Sequence, residues 1–224
     1  IVHTSGPGIA GATGAGEPAS AAPSVPLGVR SPLFARRLSS REGLEQRHVL
    51  EGRFSADDSW MINEHRLKSG EALLSGTGYI ELIRASLAEA EVTEPWEITN
   101  LVFESPLYVE DHGTRDFRVV LEGGDGRWEV AVMAAVAVPD GIARFERCAT
   151  ARVRPCAAAS PPALSIDAID ARCADRESAA VNGPSLTTRQ ESHLNFGPRW
   201  RVLRRLGLGE REALARLQLP DVYA

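Results

Sequence analysis

Residues 75–90 read Ser75-Gly76-Thr77-Gly78-Tyr79-Ile80-Glu81-Leu82-Ile83-Arg84-Ala85-Ser86-Leu87-Ala88-Glu89-Ala90. Ser75 and Thr77 are residue types whose hydroxyls cap the orphan amides at a helix start. From Tyr79 to Ala90 the run is rich in helix formers. Ile80, Ile83 and Leu87 share one stripe, widened by Tyr79 and Leu82, so the spacing predicts a helix whose apolar face is broad enough to require burial.

The sequence on both sides of this helix reads as strands. Upstream, His48-Val49-Leu50-Glu51-Gly52-Arg53-Phe54 alternates as a half-buried strand does, closing a first hairpin that begins after Ser31. Downstream, Ile98–Phe103 and Pro106–Val109 precede Arg115–Glu122, in which Phe117, Val119 and Leu121 fall on one face. Gly123-Gly124-Asp125-Gly126 is a turn signal, Trp128–Val138 a returning strand, Pro139-Asp140-Gly141 a second turn, and Arg144–Val153 a third strand. One long buried helix followed by an antiparallel meander is an α+β pattern.

Two low-complexity stretches divide the chain. Residues 1–26 are almost entirely Gly, Ala, Ser, Pro and Thr, a composition that reads as a flexible linker or tail. Residues 154–165, Arg-Pro-Cys-Ala-Ala-Ala-Ser-Pro-Pro-Ala-Leu-Ser, read as a crossing between two units, 27–153 and 166–224. The second unit offers a short acidic helix over Ile166–Ala174, a loop at Val181–Ser185, and strand signals through Leu203, Leu208, Leu217 and Leu219. It has no counterpart to residues 76–90, so it reads as incomplete.

Composition narrows the function. The chain has 224 residues, 43% hydrophobic and 25% charged, with a net charge of −5, which suits a globular protein and disfavours nucleic acid or an anionic membrane as partner. No stretch approaches the ~18 apolar residues of a membrane span, and the start lacks the order of a signal peptide. Cys148, Cys156 and Cys173 form no C-x-x-C pair and read as reduced thiols of a cytoplasmic protein. The five histidines lack metal-ligand spacing, so no metal is expected.

His65 lies between an apolar segment and a glycine-containing turn, just ahead of the buried helix. An imidazole suits a general base, and helix N-terminal amides can hold an oxygen on which negative charge develops. From spacing alone, a satisfied structural histidine is the commoner reading.

The wording of Trp60–Leu82, WMINEHRLKSGEALLSGTGYIEL, resembles the active-site segment of the dehydratase domains of modular polyketide synthases. That pattern runs His, three residues, Gly, four residues, Pro, then Gly-Thr and a central helix. Further landmarks follow in order. Pro26-Leu27-Gly28-Val29 resembles the family's opening, Phe103-Glu104-Ser105-Pro106-Leu107 its Pro-Leu strand entry, Cys148-Ala149-Thr150-Ala151 its His-Ala-x-Gly, and Phe196-Gly197-Pro198 its Tyr-Gly-Pro.

The resemblance implies a double hotdog, two helix-wrapped antiparallel sheets in tandem, with 27–153 as the first hotdog and 166–224 as part of the second. It implies dehydration of a β-hydroxyacyl thioester on the phosphopantetheine of an acyl carrier protein, with no other cofactor. His65 would be the base and amides near Gly70 would hold the thioester carbonyl. Ser75, Tyr79, Phe196, Gly197 and Pro198 would contact substrate. The family's acid is an Asp on the second central helix, expected beyond residue 224, and Asp221 is not assigned that role. Neighbouring synthase domains and a homodimer are the implied partners.

Three departures stand out. Gly70 follows His65 by five residues with Ser69 at the expected place, Ser75 replaces Pro, and Cys148 replaces His. Such changes keep open an enoyl isomerase, a dehydratase that also closes an ether ring, and a non-catalytic structural module. His193 is read as a solvated loop residue. Arg199, Arg201, Arg204 and Arg205 form a basic cluster, read either as a solvated face or as a carrier-docking patch.

Overall fold

The computed structural model describes residues 25–136, 144–156, 162–178 and 186–223. The linker expected over 1–26 thus lies almost wholly outside the described residues, as do the Pro139-Asp140-Gly141 turn and the Val181–Ser185 loop.

In chain order the elements are β1 (Val25–Leu27), β2 (Arg36–Glu42), β3 (Glu45–Ser55), α1 (Trp60–Asn63), β4 (His65–Leu67), β5 (Ala72–Leu73) and α2 (Gly76–Glu89). Then come β6 (Trp96–Phe103), β7 (Tyr108–Val109), β8 (Thr114–Gly124), β9 (Arg127–Val136) and β10 (Arg144–Pro155). The second unit holds α3 (Ile166–Arg172), β11 (Ala174–Ser178), β12 (Leu194–Phe196), β13 (Leu203–Leu208) and β14 (Ala213–Leu217).

Seven strands form one antiparallel sheet in the order β1-β2-β3-β8-β9-β10-β6. Their inward positions follow the period of two predicted from sequence. Leu50 and Phe54 of β3, Phe117, Val119 and Leu121 of β8, Trp128, Val130, Val132 and Ala134 of β9, and Ala149, Ala151 and Val153 of β10 are all buried. The β8–β9 turn is Asp125-Gly126, both at positive φ (51° and 75°), the left-handed pair that a two-residue hairpin requires.

Two bulges shape the sheet's far edge. Cys148 is the extra residue of β10 between the Arg147 and Ala149 pairings with β9, so Cys148 and Ala149 are both buried. On β6, Asn100 takes φ 51° where the register with β10 shifts.

Helix α2 supplies the other side of the core. Ser75 is its N-cap, and the Ser75 Oγ accepts the Gly78 amide at 3.1 Å. Tyr79, Leu82, Ile83, Ser86 and Leu87 are buried, each apolar one contributing roughly 1.5–3 kcal/mol of transfer free energy. The stripe therefore runs through 79, 82, 83, 86 and 87. Ile80, expected at its centre, is 43% exposed, because the sheet meets the helix on the flank of Leu82 and Ser86. At the far end the buried Glu89 carboxylate accepts the amides of Arg30 (2.7 Å) and Ser31 (2.6 Å), fastening α2 to the chain entering β2.

In the second unit β11, β13 and β14 form a three-stranded antiparallel sheet. No residue of α3 is buried, and Leu217 is 64% exposed. Leu219, read as a strand position, falls after the end of β14. Among the described residues no long helix covers this sheet. The architecture is thus one complete helix-wrapped hotdog and part of a second. The units are joined where β12 pairs with β4 in a small sheet ordered β12-β4-β5-β7.

Candidate active site

His65 opens β4, directly after the single turn α1 and its C-cap Glu64. Ile62, fully buried, pins that turn to the core. The His65 ring is buried, and its Nδ1 lies 2.9 Å from the carbonyl oxygen of Leu73. A carbonyl only accepts, so Nδ1 carries the proton and the neutral ring keeps its lone pair on Nε2. That is the tautomer a base needs, held by the backbone of β5 across the turn.

The turn itself is knitted by Arg66. Its guanidinium donates to the carbonyls of Ala56 (2.6 Å) and Gly70 (2.7 Å) and pairs with Asp111 (2.8 Å). Gly70 has φ 116°, a left-handed conformation that accommodates the one-residue expansion after His65. Its own amide donates to Leu67 O at 3.1 Å, so the Gly70 N–H itself closes the turn. Helix geometry leaves the first amides of α2, at Gly76 and Thr77, without intrahelical partners.

Ser75 substitutes for proline by capping: its Oγ also lies 3.0 Å from the Thr77 hydroxyl. Tyr79 is buried, and its hydroxyl accepts the Leu107 amide at 2.9 Å. Burial pushes the phenol up to about 12. Its hydroxyl therefore ties α2 to the Ser105-Pro106-Leu107 segment, while its ring lines an apolar pocket. That pocket, about 310 Å³, is bounded by Leu73, Leu74, Gly76, Tyr79, Phe103 and Pro106, with Glu104 and Ser105. Leu73 is shared between it and His65.

The second unit reaches His65 through the register of β12 on β4, which pairs Phe196 with His65. The Phe196 ring centroid lies 5.5 Å from that of His65, and Trp200 approaches to 5.2 Å. Phe196 and Trp200 are themselves stacked at 5.9 Å. Gly197 donates its amide to Glu64 O at 2.8 Å. A Cβ at Gly197 would sit 2.3 Å from Glu64 Cγ, so only glycine lets the two backbones approach this closely. Pro198 continues the turn into Arg199.

Glu64 and Trp200 were not singled out from the sequence, since an acid next to a motif histidine and an aromatic near a loop are both ordinary. Trp60, an aromatic of a size usually found in a core, is 48% exposed, with the Arg199 guanidinium 5.2 Å from its ring centroid. The four arginines of the basic cluster engage in separate contacts within the fold. Arg199 is ion-paired to Glu64, Arg205 to Asp170 at 2.7 Å, Arg201 donates to Phe196 O at 3.0 Å, and Arg204 is buried. These contacts brace the fold, while the Arg201 side chain stays exposed. His193 is exposed and offers its carbonyl to the Lys68 amide at 3.1 Å.

Cys148, where the family has histidine, is buried, and desolvation raises its thiol above the ordinary range. It packs as a small apolar side chain.

No helix among the described residues is long and apolar enough to cross a membrane. No curated protein matches the chain. Solved structures do. The dehydratase domain from the CurF module of curacin polyketide synthase is 15% identical with a TM-score of 0.67, the match covering 86% of this chain and 68% of that one. The dehydratase domain from the CurK module of the same synthase is 14% identical (TM-score 0.66, 85% and 66%). A histidine-to-phenylalanine and an aspartate-to-asparagine form of the CurK domain are both described as inactive. A trans-acyltransferase polyketide synthase dehydratase domain from Brevibacillus brevis is 20% identical (TM-score 0.64, 88% and 67%). The chain thus spans about two thirds of the length of each. Residues 31–135 match the profile of the polyketide synthase dehydratase domain. The likeness first read from Trp60–Leu82 thus falls within the residues 31–135 that match the polyketide synthase dehydratase model, and the described chain has the fold of those domains.

Proposed function

We propose that the chain contributes to dehydration of a β-hydroxyacyl thioester delivered on a carrier protein's phosphopantetheine, with His65 as the base. The observation that carries this reading is the Nδ1 bond to Leu73 O at 2.9 Å, which leaves Nε2 as the basic atom. His65 Nε2 takes the α-proton. The electron pair moves into the thioester carbonyl, whose oxygen is held by the Gly76 and Thr77 amides at the positive end of α2. The pair then returns to form the Cα–Cβ double bond as the β-hydroxyl leaves, protonated to water by an acid. Phe196 and Trp200 keep bulk water from the imidazole, and the apolar pocket at Leu73–Pro106 receives the acyl chain.

The acid is expected to be the Asp of the family's second central helix, and no residue of this chain is assigned that part. The inactive histidine and aspartate variants of the CurK domain agree with a two-residue mechanism of this kind. In this reading the partners are an acyl carrier protein and neighbouring synthase domains, no cofactor beyond phosphopantetheine is used, and the site is cytoplasmic, in a homodimer.

The test uses a 3-hydroxyacyl pantetheine thioester in deuterated water, followed by mass. Loss of one water shows elimination. Uptake of one deuterium at Cα without loss of water shows the base half of the reaction alone. Both signals are expected to vanish in His65→Ala. Neither signal in the parent chain, or either one surviving in His65→Ala, refutes the proposal.

A further inference from the structure

The His65 ring is held on one side by its own hairpin and on the other by rings from a segment about 130 residues later, and two polar residues fasten that segment in place. Glu64 accepts the Arg199 amide on Oε2 at 2.6 Å and pairs through Oε1 with the Arg199 guanidinium, while its backbone carbonyl accepts the Gly197 amide at 2.8 Å. The carboxylate is nearly enclosed, its side chain 11% exposed against 31% for Arg199. The guanidinium also lies 4.0 Å from the Tyr223 ring centroid and 5.2 Å from that of Trp60. A charged, bidentate-type contact of this sort gives geometric definition as well as energy. Phe196 and Trp200 flank the clamp in sequence, and both rings stand against His65.

We infer that Glu64 and Arg199 are positioning residues: together they clamp the Phe196–Trp200 segment of the second unit onto His65 and thereby set the orientation of the imidazole. This rests on the reading of His65 as the base, but its geometry can be tested without turnover. Neither residue touches the reacting atoms. Glu64 fixes β12 against β4, the two aromatic rings follow, and His65 is left with one ring orientation between the Leu73 carbonyl and the aromatic pair. The candidate site is therefore built jointly by the two units, and residues 27–153 alone lack the part that steadies the base.

The readout is the proton NMR spectrum of the histidine rings in the 224-residue chain, with His65 assigned by loss of its signals in His65→Gln. Rings 5.2 and 5.5 Å away shift the His65 ring protons from their exposed positions. Glu64→Ala is expected to move these resonances toward the exposed values. His48, which lies 5.5 Å from Trp128 in the first sheet, is the internal control and stays in place. Arg199→Ala is the second variant, less prone to disturb folding because Arg199 is the more exposed partner, and it is expected to move the same signals. The double variant is expected to do no more than either single one.

Where the parent chain exchanges the thioester α-proton, Glu64→Ala lowers kcat on the order of 100-fold with a smaller change in KM, the penalty for a base displaced by about 1 Å. Glu64→Gln, which keeps an acceptor for the Arg199 amide, restores part of it. Unmoved His65 signals in both single variants overturn the clamp. Signals of His48 and His65 moving together also overturn it, since that reports general loosening of the fold. A parent chain that exchanges no proton but shows the His65-specific shift refutes the proposed chemistry and leaves the clamp standing.

Discussion

Replacing Ser75 tests whether this chain reaches the same helix start by a different route from its relatives. Ser75 has φ −72°, a value proline adopts without strain, and its Oγ accepts the Gly78 amide at 3.1 Å. Ser75→Ala removes that acceptor at a position only 9% exposed. Loss of a cap costs about 0.5–2 kcal/mol. Here the lower half of that range applies, because the Gly78 amide also reaches the Ser75 carbonyl at 2.9 Å and keeps one partner. The expected cost is thus about 1 kcal/mol, which for a chain of this size lowers Tm by roughly 2–4 °C. Ser75→Pro loses the same hydroxyl but restricts the unfolded chain, a gain of about 0.4–1 kcal/mol, so its Tm should lie close to the parent's. Thermal and urea unfolding of the three proteins, followed by far-UV circular dichroism, measures both differences. A Ser75→Ala chain as stable as the parent, or a Ser75→Pro chain less stable than Ser75→Ala, refutes the capping argument.

Two further outcomes follow from the first sheet. A Cβ at Gly52, in the middle of β3, would meet the Leu33 carbonyl oxygen and the Phe117 ring, each at 2.4 Å. Because one obstacle is backbone, Gly52→Ala should cost about 3 kcal/mol, the upper end of overpacking penalties, and lower the urea midpoint accordingly; an unchanged midpoint contradicts the packing. His48 is buried, with Nδ1 2.7 Å from Ser39 Oγ and Nε2 without a partner among the described residues. Burial first, and the neighbouring Arg37 charge second, lower its pKa from 6.5 to about 4. Between those values the unfolded chain binds the proton and the folded chain does not, so stability falls as pH drops from about 6.5 toward 4 and is independent of this group above that window. Unfolding free energies measured across the window should show this slope in the parent and a shallower one in His48→Leu; equal slopes would assign the effect elsewhere.

Much of the first unit was legible because its signals are local. Helix α2 declared itself through a cap and a run of helix formers, and β3, β8, β9 and β10 through a period of two that survives any change of partner. What the helix pattern did not disclose was its phase. Ile80 and Leu82 are equally apolar, and only the position of the sheet decided that Leu82 is fully buried while Ile80 is 43% exposed. Trp60 went the same way: its size suggested core, and its surroundings placed it under Arg199 at the surface.

The sequence by itself determined the buried helix, the strands of the meander and the histidine ahead of the helix, since each is written in a short local pattern, and the family likeness, since its landmarks are short motifs read in order along the chain. The tertiary structure alone decided how that histidine is held. Glu64 and Arg199 are 135 positions apart, and in the sequence each is one ordinary charge among many. Their pairing exists only because β12 returns to lie beside β4, and a contact created by chain return leaves no periodic trace in the sequence for a reader to find.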